Sequence, residues 1–345
     1  MTIKKSKAYK YAKWCLRRGN KKVGRYVKKQ AEAWIKIADG KQRGVYVCEQ
    51  TFKAVSLMLK LMVHPDFFKP LHETIENYAW FLITATLCTK ERKIDGADVR
   101  YYETAVLEIA RKNFKTFNSA IIFILLMLIS PKYSRFFSVA PDLLLSNELK
   151  FAIQKIIKTS PALQVGKSFE ILRKEIRCNI TDSTYTPLAY SNDRMDGKLA
   201  NAFVADEAGA MSEYPVEAMR SSQTTLRNKL GIIISTQYPS DKNGMTDEID
   251  MSKKVLDELI DDRRFALLYE PDDEYLTADK WQTDDTVIYQ SNPAAVNNQV
   301  VFESLLKRRQ AAILYENKRE NYLCKHNNIK YKGLGVEGYG YSNCH

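Results

Sequence analysis

Two short runs constrain the fold of this chain more than any other feature: Ala202-Phe203-Val204-Ala205 and Gly231-Ile232-Ile233-Ile234-Ser235. Neither alternates apolar with polar residues, as a strand wetted on one face would. Continuous apolar strands fit a parallel sheet covered on both sides. Shorter strand candidates stand at 104–109, 135–140, 175–179, 187–190 and 264–269. Apolar residues at helical spacing predict helices over 51–63, 75–87, 115–129 and 147–158. An acidic helix is predicted within 246–262 and a basic amphipathic one over 301–325. Strands alternating with helices imply an α/β fold with a mostly parallel central sheet in a three-layer α/β/α stack.

Charge is divided unevenly. Residues 1–30 hold 12 basic side chains and no acidic one, and the rest of the chain has 41 of each sign. The basicity therefore belongs to an N-terminal arm, expected over 1–45. Tyr9, Tyr11, Trp14 and Tyr26 are interleaved with its cations. Two readings stay open: an arm that neutralises phosphates and stacks on bases, or helices whose aromatics face the core. Charge follows Lys4-Lys5 where a secretory signal would be apolar, and the longest apolar run, 120–129, is too short to span a bilayer. No membrane partner is expected. The six cysteines form no C-x-x-C pair and read as reduced thiols. Cys324, His326, Cys344 and His345 match no zinc-module spacing.

Ligands of an open parallel sheet bind at the carboxyl ends of its strands. Three polar segments fall at such ends. Ala110-Arg111-Lys112-Asn113-Phe114-Lys115-Thr116 joins the strand at 104–109 to an apolar helix. A phosphate loop needs inward backbone N–H groups, a lysine for the phosphates and a hydroxyl for Mg²⁺; Lys115 and Thr116 supply the last two. The glycines of the usual loop are missing, with Ile109 and Phe114 at their positions. Asp206-Glu207 comes directly after the run ending at Ala205. Such an aspartate holds Mg²⁺ while the glutamate polarises water against the γ-phosphate, or the pair simply caps a helix. Ser235-Thr236-Gln237 ends the isoleucine strand beside them. Each signal is weak alone. Their order, Lys-Thr, then Asp-Glu, then Ser-Thr-Gln, is that of a P-loop ATPase with a catalytic glutamate.

Over about residues 45–330 the chain resembles the large subunit of tailed-phage terminases. ARKNFKT (110–116) is similar to the family's variant phosphate loop, PLAYSNDRMDGKLANAFVADEAGAM (187–211) to its D-G and Walker B stretch, and IIISTQ (232–237) to its coupling motif. Ser291-Asn292-Pro293 and ENKRENYLCKHNNI (316–329) resemble elements beyond the ATPase core. The resemblance implies a P-loop NTPase fold and a Mg²⁺-dependent ATPase that packages viral DNA into a procapsid. It implies that Arg111, Lys112, Asn113, Phe114, Lys115 and Thr116 contact nucleotide, that Thr116 and Asp206 hold Mg²⁺, that Glu207 is the catalytic carboxylate, and that Thr236 couples hydrolysis to movement. Arg111 and Arg227 are candidates for stabilising transition-state charge. The implied cofactors are ATP and Mg²⁺. The implied partners are double-stranded DNA, the portal protein, the terminase small subunit and further copies in a ring, in the host cytoplasm at the procapsid.

Two departures set further expectations. Phe114 stands where the family has glycine, so close backbone approach to phosphate is hindered. Tyr78-Ala79 occupies the place of an adenine-reading glutamine, leaving Tyr78 to stack on the base. A divided chain is expected: arm 1–45, ATPase 46–262, lid or linker 263–330, Gly/Tyr-rich tail 331–345. The carboxylates of a two-metal nuclease are not found after Glu316, so no DNA cleavage is expected from this chain. The rival expectations are a helicase-like P-loop motor and an inactive DNA-binding remnant.

Overall fold

The computed structural model describes residues 2–164, 166–189, 198–277 and 279–331. The Tyr190 end of the strand expected at 187–190, the Asp196-Gly197 pair and the 332–345 tail, with Cys344 and His345, lie outside the described residues. The chain opens with helices α1 (Lys7–Cys15) and α2 (Arg25–Ala38), then strand β1 (Val45–Val47) and helices α3 (Glu49–Leu61), α4 (Leu71–Thr74) and α5 (Asn77–Cys88). Strands β2 (Thr89–Arg92) and β3 (Asp98–Arg100) complete a small antiparallel sheet with β1. The main sheet comes next: β4 (Thr104–Glu108), β5 (Arg135–Ala140), β6 (Phe169–Ile171), β7 (Ile176–Cys178), β8 (Ser183–Ala189), β9 (Ala202–Asp206), β10 (Leu230–Ser235) and β11 (Arg264–Leu268). Helix α6 (Lys115–Ile129) succeeds β4, and α7 (Leu143–Thr159) succeeds β5.

The main sheet runs β11-β4-β10-β9-β5-β8-β7-β6. From β11 to β8 every pairing is parallel; β7 and β6 add an antiparallel edge. The apolar runs behave as buried strands should. Ile232 and Ile234 join Val204, Leu107 and Leu267 in one core with α1, α2, α5, α6 and α7. Ile233 points the other way, with Val106, Ala205, Phe203 and Leu268, against residues 208–219 and 245–249. The sheet is thus sandwiched between two layers, a mixed α/β fold with a mostly parallel centre.

The basic segment is no free arm. Tyr11, Val27, Ala31 and Trp34 sit in the main core, and Tyr26 is buried in the second. Gln30 accepts a hydrogen bond from Ala266 N at 2.7 Å, so α2 seals the edge strand β11. The Tyr11 hydroxyl meets that of Tyr269 at 3.0 Å. These rings face the core and not a base, because α1 and α2 place apolar side chains on one stripe and leave Lys10, Lys13, Arg17, Arg18, Lys21 and Lys22 outside it. The boundary expected at 262/263 also runs through the sheet: β11 pairs along its whole length with β4. The helix predicted at 301–325 ends sooner, as Gln299–Leu314, and short irregular turns carry the chain back over the sheet.

Candidate active site

Parallel pairing brings three strand ends to one level. Glu108 of β4 lies opposite Ser235 of β10, and Ile234 lies opposite Asp206 of β9. The loops leaving these strands therefore share one edge of the sheet. This register gathers Lys115-Thr116, Asp206-Glu207 and Thr236-Gln237 from segments far apart in the chain.

The loop from β4 to α6 is built around Asn113, which is fully buried. Its amide donates to Ala110 O at 3.0 Å and to Asn292 Oδ1 at 2.8 Å, and its Oδ1 accepts from Ala294 N at 3.1 Å. The side chain is a wedge inside the loop, its polar atoms taken up by protein partners. On either side of it, Lys112 and Phe114 adopt left-handed backbone, with φ of 69° and 61°. Phe114 occupies the cap position of α6 and offers no side-chain hydrogen bond to the helix. This is the conformation glycine would adopt freely. Phe114 is 40% exposed, so the covered part of its side chain offsets the backbone strain only in part.

Tyr78 lies beneath the loop, 1% exposed. Its hydroxyl donates to Asn113 O and accepts from Asn118 Nδ2, the latter at 2.8 Å. Its ring meets Tyr269 edge-on, with centroids 5.7 Å apart. It braces the loop, and its ring faces are enclosed by protein. Beside it opens a cleft of ≈ 310 Å³ lined by Lys7, Lys10, Arg17, Glu76 and Pro293 among others. Burial raises the Glu76 carboxyl there to about 6.

The charged groups meet in the open part of the edge. Lys115 Nζ pairs with Glu207 Oε1 and lies 3.5 Å from Asp206 Oδ1. Thr116 Oγ1 donates to Asp206 Oδ2 at 3.1 Å. Glu207, itself left-handed at φ 55°, accepts from the Tyr238 hydroxyl at 3.2 Å. Burial would raise the Glu207 carboxyl; the Lys115 ammonium in contact, with Arg111 and Lys325 beyond it, outweighs burial and holds it below the usual glutamate value. Gly209 comes two residues later, where a Cβ would lie 2.7 Å from Ser235 Oγ; its N–H donates to that hydroxyl at 3.0 Å.

Arg111 and Lys112 are exposed on the loop. Thr236 is buried, and its hydroxyl has no hydrogen-bond partner among the described residues. Gln237 next to it donates to Glu108 Oε1 at 3.0 Å. Burial, with Glu270 nearby, drives the Glu108 carboxyl well above its ordinary value. Arg227 is not brought to this edge. It precedes β10, at the opposite end of the strands, and pairs with Asp95 of the β2–β3 hairpin at 2.5 Å.

Sequence reading missed Tyr238 and Lys325. Lys325 is 8% exposed, donates to Gln237 O at 3.1 Å and lies over the Tyr238 ring. Burial lowers its amine to about 7, against the pull of Glu207. No spacing rule places a residue 118 positions after Glu207 beside it. The resemblance of 316–329 to a family element was the only signal.

The donor set fits Mg²⁺. Hard oxygen atoms on Thr116 and Asp206 stand side by side at the start of a helix, next to a lysine. Mg²⁺ is commonly held by one or two carboxylates with the rest of its shell from phosphates and water. No group of three or more His, Cys, Asp or Glu side chains that would hold a metal occurs among the described residues. Nor is any described helix long and apolar enough to cross a membrane.

Residues 90–254 match the family model for the terminase large subunit, ATPase domain. No curated protein matches the sequence. The large terminase of bacteriophage HK97 has a similar structure, with a TM-score of 0.65 at 17% identity over 81% of this chain and 55% of that one. This chain therefore spans about half the length of that terminase, and the likeness speaks to fold. The Thermus phage P74-26 large terminase ATPase domain aligns at a TM-score of 0.34 and 15% identity, over 40% of this chain and 61% of its own. The large terminase of a thermophilic bacteriophage, in complex with ATP-gamma-S, aligns at 0.37 and 13%, over 48% of this chain and 39% of its own. Neither score adds to the fold argument.

Proposed function

We propose, from the match of residues 90–254 to the terminase large subunit ATPase domain, that this chain hydrolyses ATP with Mg²⁺ to drive double-stranded viral DNA into a procapsid. The observation that carries this reading is the meeting of Lys115, Thr116, Asp206 and Glu207 from separate strand ends. A remnant would have no chemical use for that set.

The division of labour follows from the geometry. The start of α6 has no side-chain cap, so its first N–H groups remain free to bind phosphate oxygens. Lys115 is held against Glu207; phosphate oxygens would compete for its ammonium. Each Lys115 contact transferred to phosphate releases Glu207 to orient and polarise a water. Arg111 lies close enough to act on the charge at Glu207, and so on charge developing beside it. Thr116 and Asp206 would hold Mg²⁺, which when bound neutralises charge on the phosphate oxygens. Thr236 and Gln237, one strand over, would report the site's state to the core through Glu108.

By the same reading the motor works with a portal protein and a terminase small subunit, as a ring of copies, in the host cytoplasm at the procapsid. The exposed lysines and arginines of α1 and the turn after it are the part of the basic segment left for DNA phosphates. Catalytic carboxylates acting on a proton commonly contribute about 10²–10⁴-fold. Mg²⁺-dependent ATP turnover is therefore expected, stimulated by double-stranded DNA. Glu207→Gln should lose about 100-fold or more of it while still binding nucleotide. Equal turnover by the wild type and the variant would overturn the assignment of Glu207.

A further inference from the structure

The segment 325–328 touches three of the loops around the candidate site while lying far from them in sequence. Lys325 O accepts from Arg111 N, in the phosphate loop, at 2.8 Å. His326 O accepts from Asn292 Nδ2 at 2.8 Å, and Asn327 O from Ser291 Oγ at 2.5 Å. Asn328 accepts from Gln237 N at 3.1 Å and donates to Tyr269 O, at the end of β11, at 2.8 Å. This backbone is therefore fastened to the loops after β4, β10 and β11. From it the Lys325 side chain enters the site over Tyr238, whose hydroxyl holds Glu207.

The charges there do not balance. Arg111, Lys115 and Lys325 all act on Glu207, and Asp206 is the other carboxylate at the site. Two largely covered cations, Lys115 and Lys325, and the exposed Arg111 thus face two carboxylates, with Lys112 next to Arg111 on the loop. Lys325 has three N–H donors. Among the described residues it makes one hydrogen bond, to the Gln237 carbonyl. A buried cation with spare donors is costly unless an anion joins it. An anion arriving on the Glu207 side of the site would meet those donors.

Resting on the reading of this site as an ATPase, we propose that Lys325 is a nucleotide-state sensor: its ammonium binds the terminal phosphate of a nucleoside triphosphate and loses that contact in the diphosphate. Segment 321–329 would then be held more firmly in the triphosphate state, and its release would pass the loss of phosphate to the residues beyond it.

The test compares binding of Mg²⁺ with the non-hydrolysable β,γ-imido analogue of ATP, and of Mg²⁺ with ADP, to the full chain by titration calorimetry. Lys325→Met keeps the aliphatic stem and removes the charge. It should weaken the triphosphate analogue about tenfold or more and leave ADP within about twofold, as loss of one charge-assisted hydrogen bond requires. Lys325→Arg should restore the preference. Equal losses for both nucleotides, or none, would overturn the proposal. Should the methionine variant not fold, hydrogen exchange in the wild type decides: 321–329 should be better protected with the triphosphate analogue than with ADP, and equal protection would refute it. A wild type that binds neither nucleotide would bring down the ATPase reading along with this one.

Discussion

Two junctions of the main sheet do the same topological job in opposite ways. After β5, Pro141-Asp142 leads into α7. Asp142 is extended, and its carboxylate accepts from Leu145 N at 2.8 Å. That is a self-sufficient helix start, with an N-terminal donor satisfied by its own chain. After β4, the loop enters α6 through a left-handed Phe114 with no side-chain cap and no acidic residue in the first turn. The one junction commits a carboxylate to its helix. The other withholds one, and places Lys115 and Thr116 there instead. An uncapped, cationic helix start is poorly stabilised from within, and it becomes favourable once an anion arrives. The contrast separates a junction closed by its own carboxylate from one whose first N–H groups have no side-chain cap, as the proposed phosphate site requires.

The largest effect should come from removing the residue that holds the second junction in shape. Asn113→Ala strands the Asn292 side chain and the Ala294 N–H in a buried place, and each unsatisfied group costs about 1–3 kcal/mol. Urea unfolding should show a loss of about 3 kcal/mol, and nucleotide binding should fall with it. If stability holds, the wedge is dispensable and the loop is fixed by something else. Asp142→Ala is the matched break at the first junction. It should cost about 1 kcal/mol, as N-cap removal does, and leave ATP turnover unchanged. A fall in turnover there would erase the contrast, because the capped junction would then serve the site too.

How much of this was legible in the sequence differs from part to part. β9 and β10 stood out because strands buried on both faces must be apolar throughout, and α6 because its helix is buried on nearly every side. Lys115, Thr116, Asp206 and Glu207 could be named because chemistry at a strand end is local to the strand. Parallel register then did the assembling. Asn113 and Tyr78 were named for nucleotide, yet both turn inward to hold the loop, since an amide and a phenol serve as structural hydrogen-bonding groups as well as ligand contacts. Tyr238 and Lys325 were not singled out because their places beside Glu207 exist only through space. The basic segment misled for a different reason. Its composition is dominated by the exposed stripe, while Tyr11, Val27, Ala31 and Trp34, which decide its packing, are few. The small β1–β2–β3 sheet carries too little apolar pattern to announce itself.

The sharpest version of the comparison is Phe114→Gly. A left-handed backbone costs a non-glycine residue about 1–2 kcal/mol, and glycine gives back about 0.5–1 of that through the freedom of its unfolded chain. Phe114 is 40% exposed, so the burial lost with its ring offsets part of the gain. The variant should be more stable by up to about 1 kcal/mol in urea unfolding. It should also bind Mg²⁺-ATP somewhat more tightly, because the backbone at the start of α6 no longer carries a Cβ toward the phosphates. The two readouts distinguish two causes. A gain in stability without a gain in affinity means that the strain is real but lies off the phosphate path. A gain in affinity alone means that the side chain blocks the approach while its backbone strain is relieved by the wedge at Asn113. Loss of both would mean that the ring itself is used, and that this junction depends on a side-chain contact just as the Asp142 junction does.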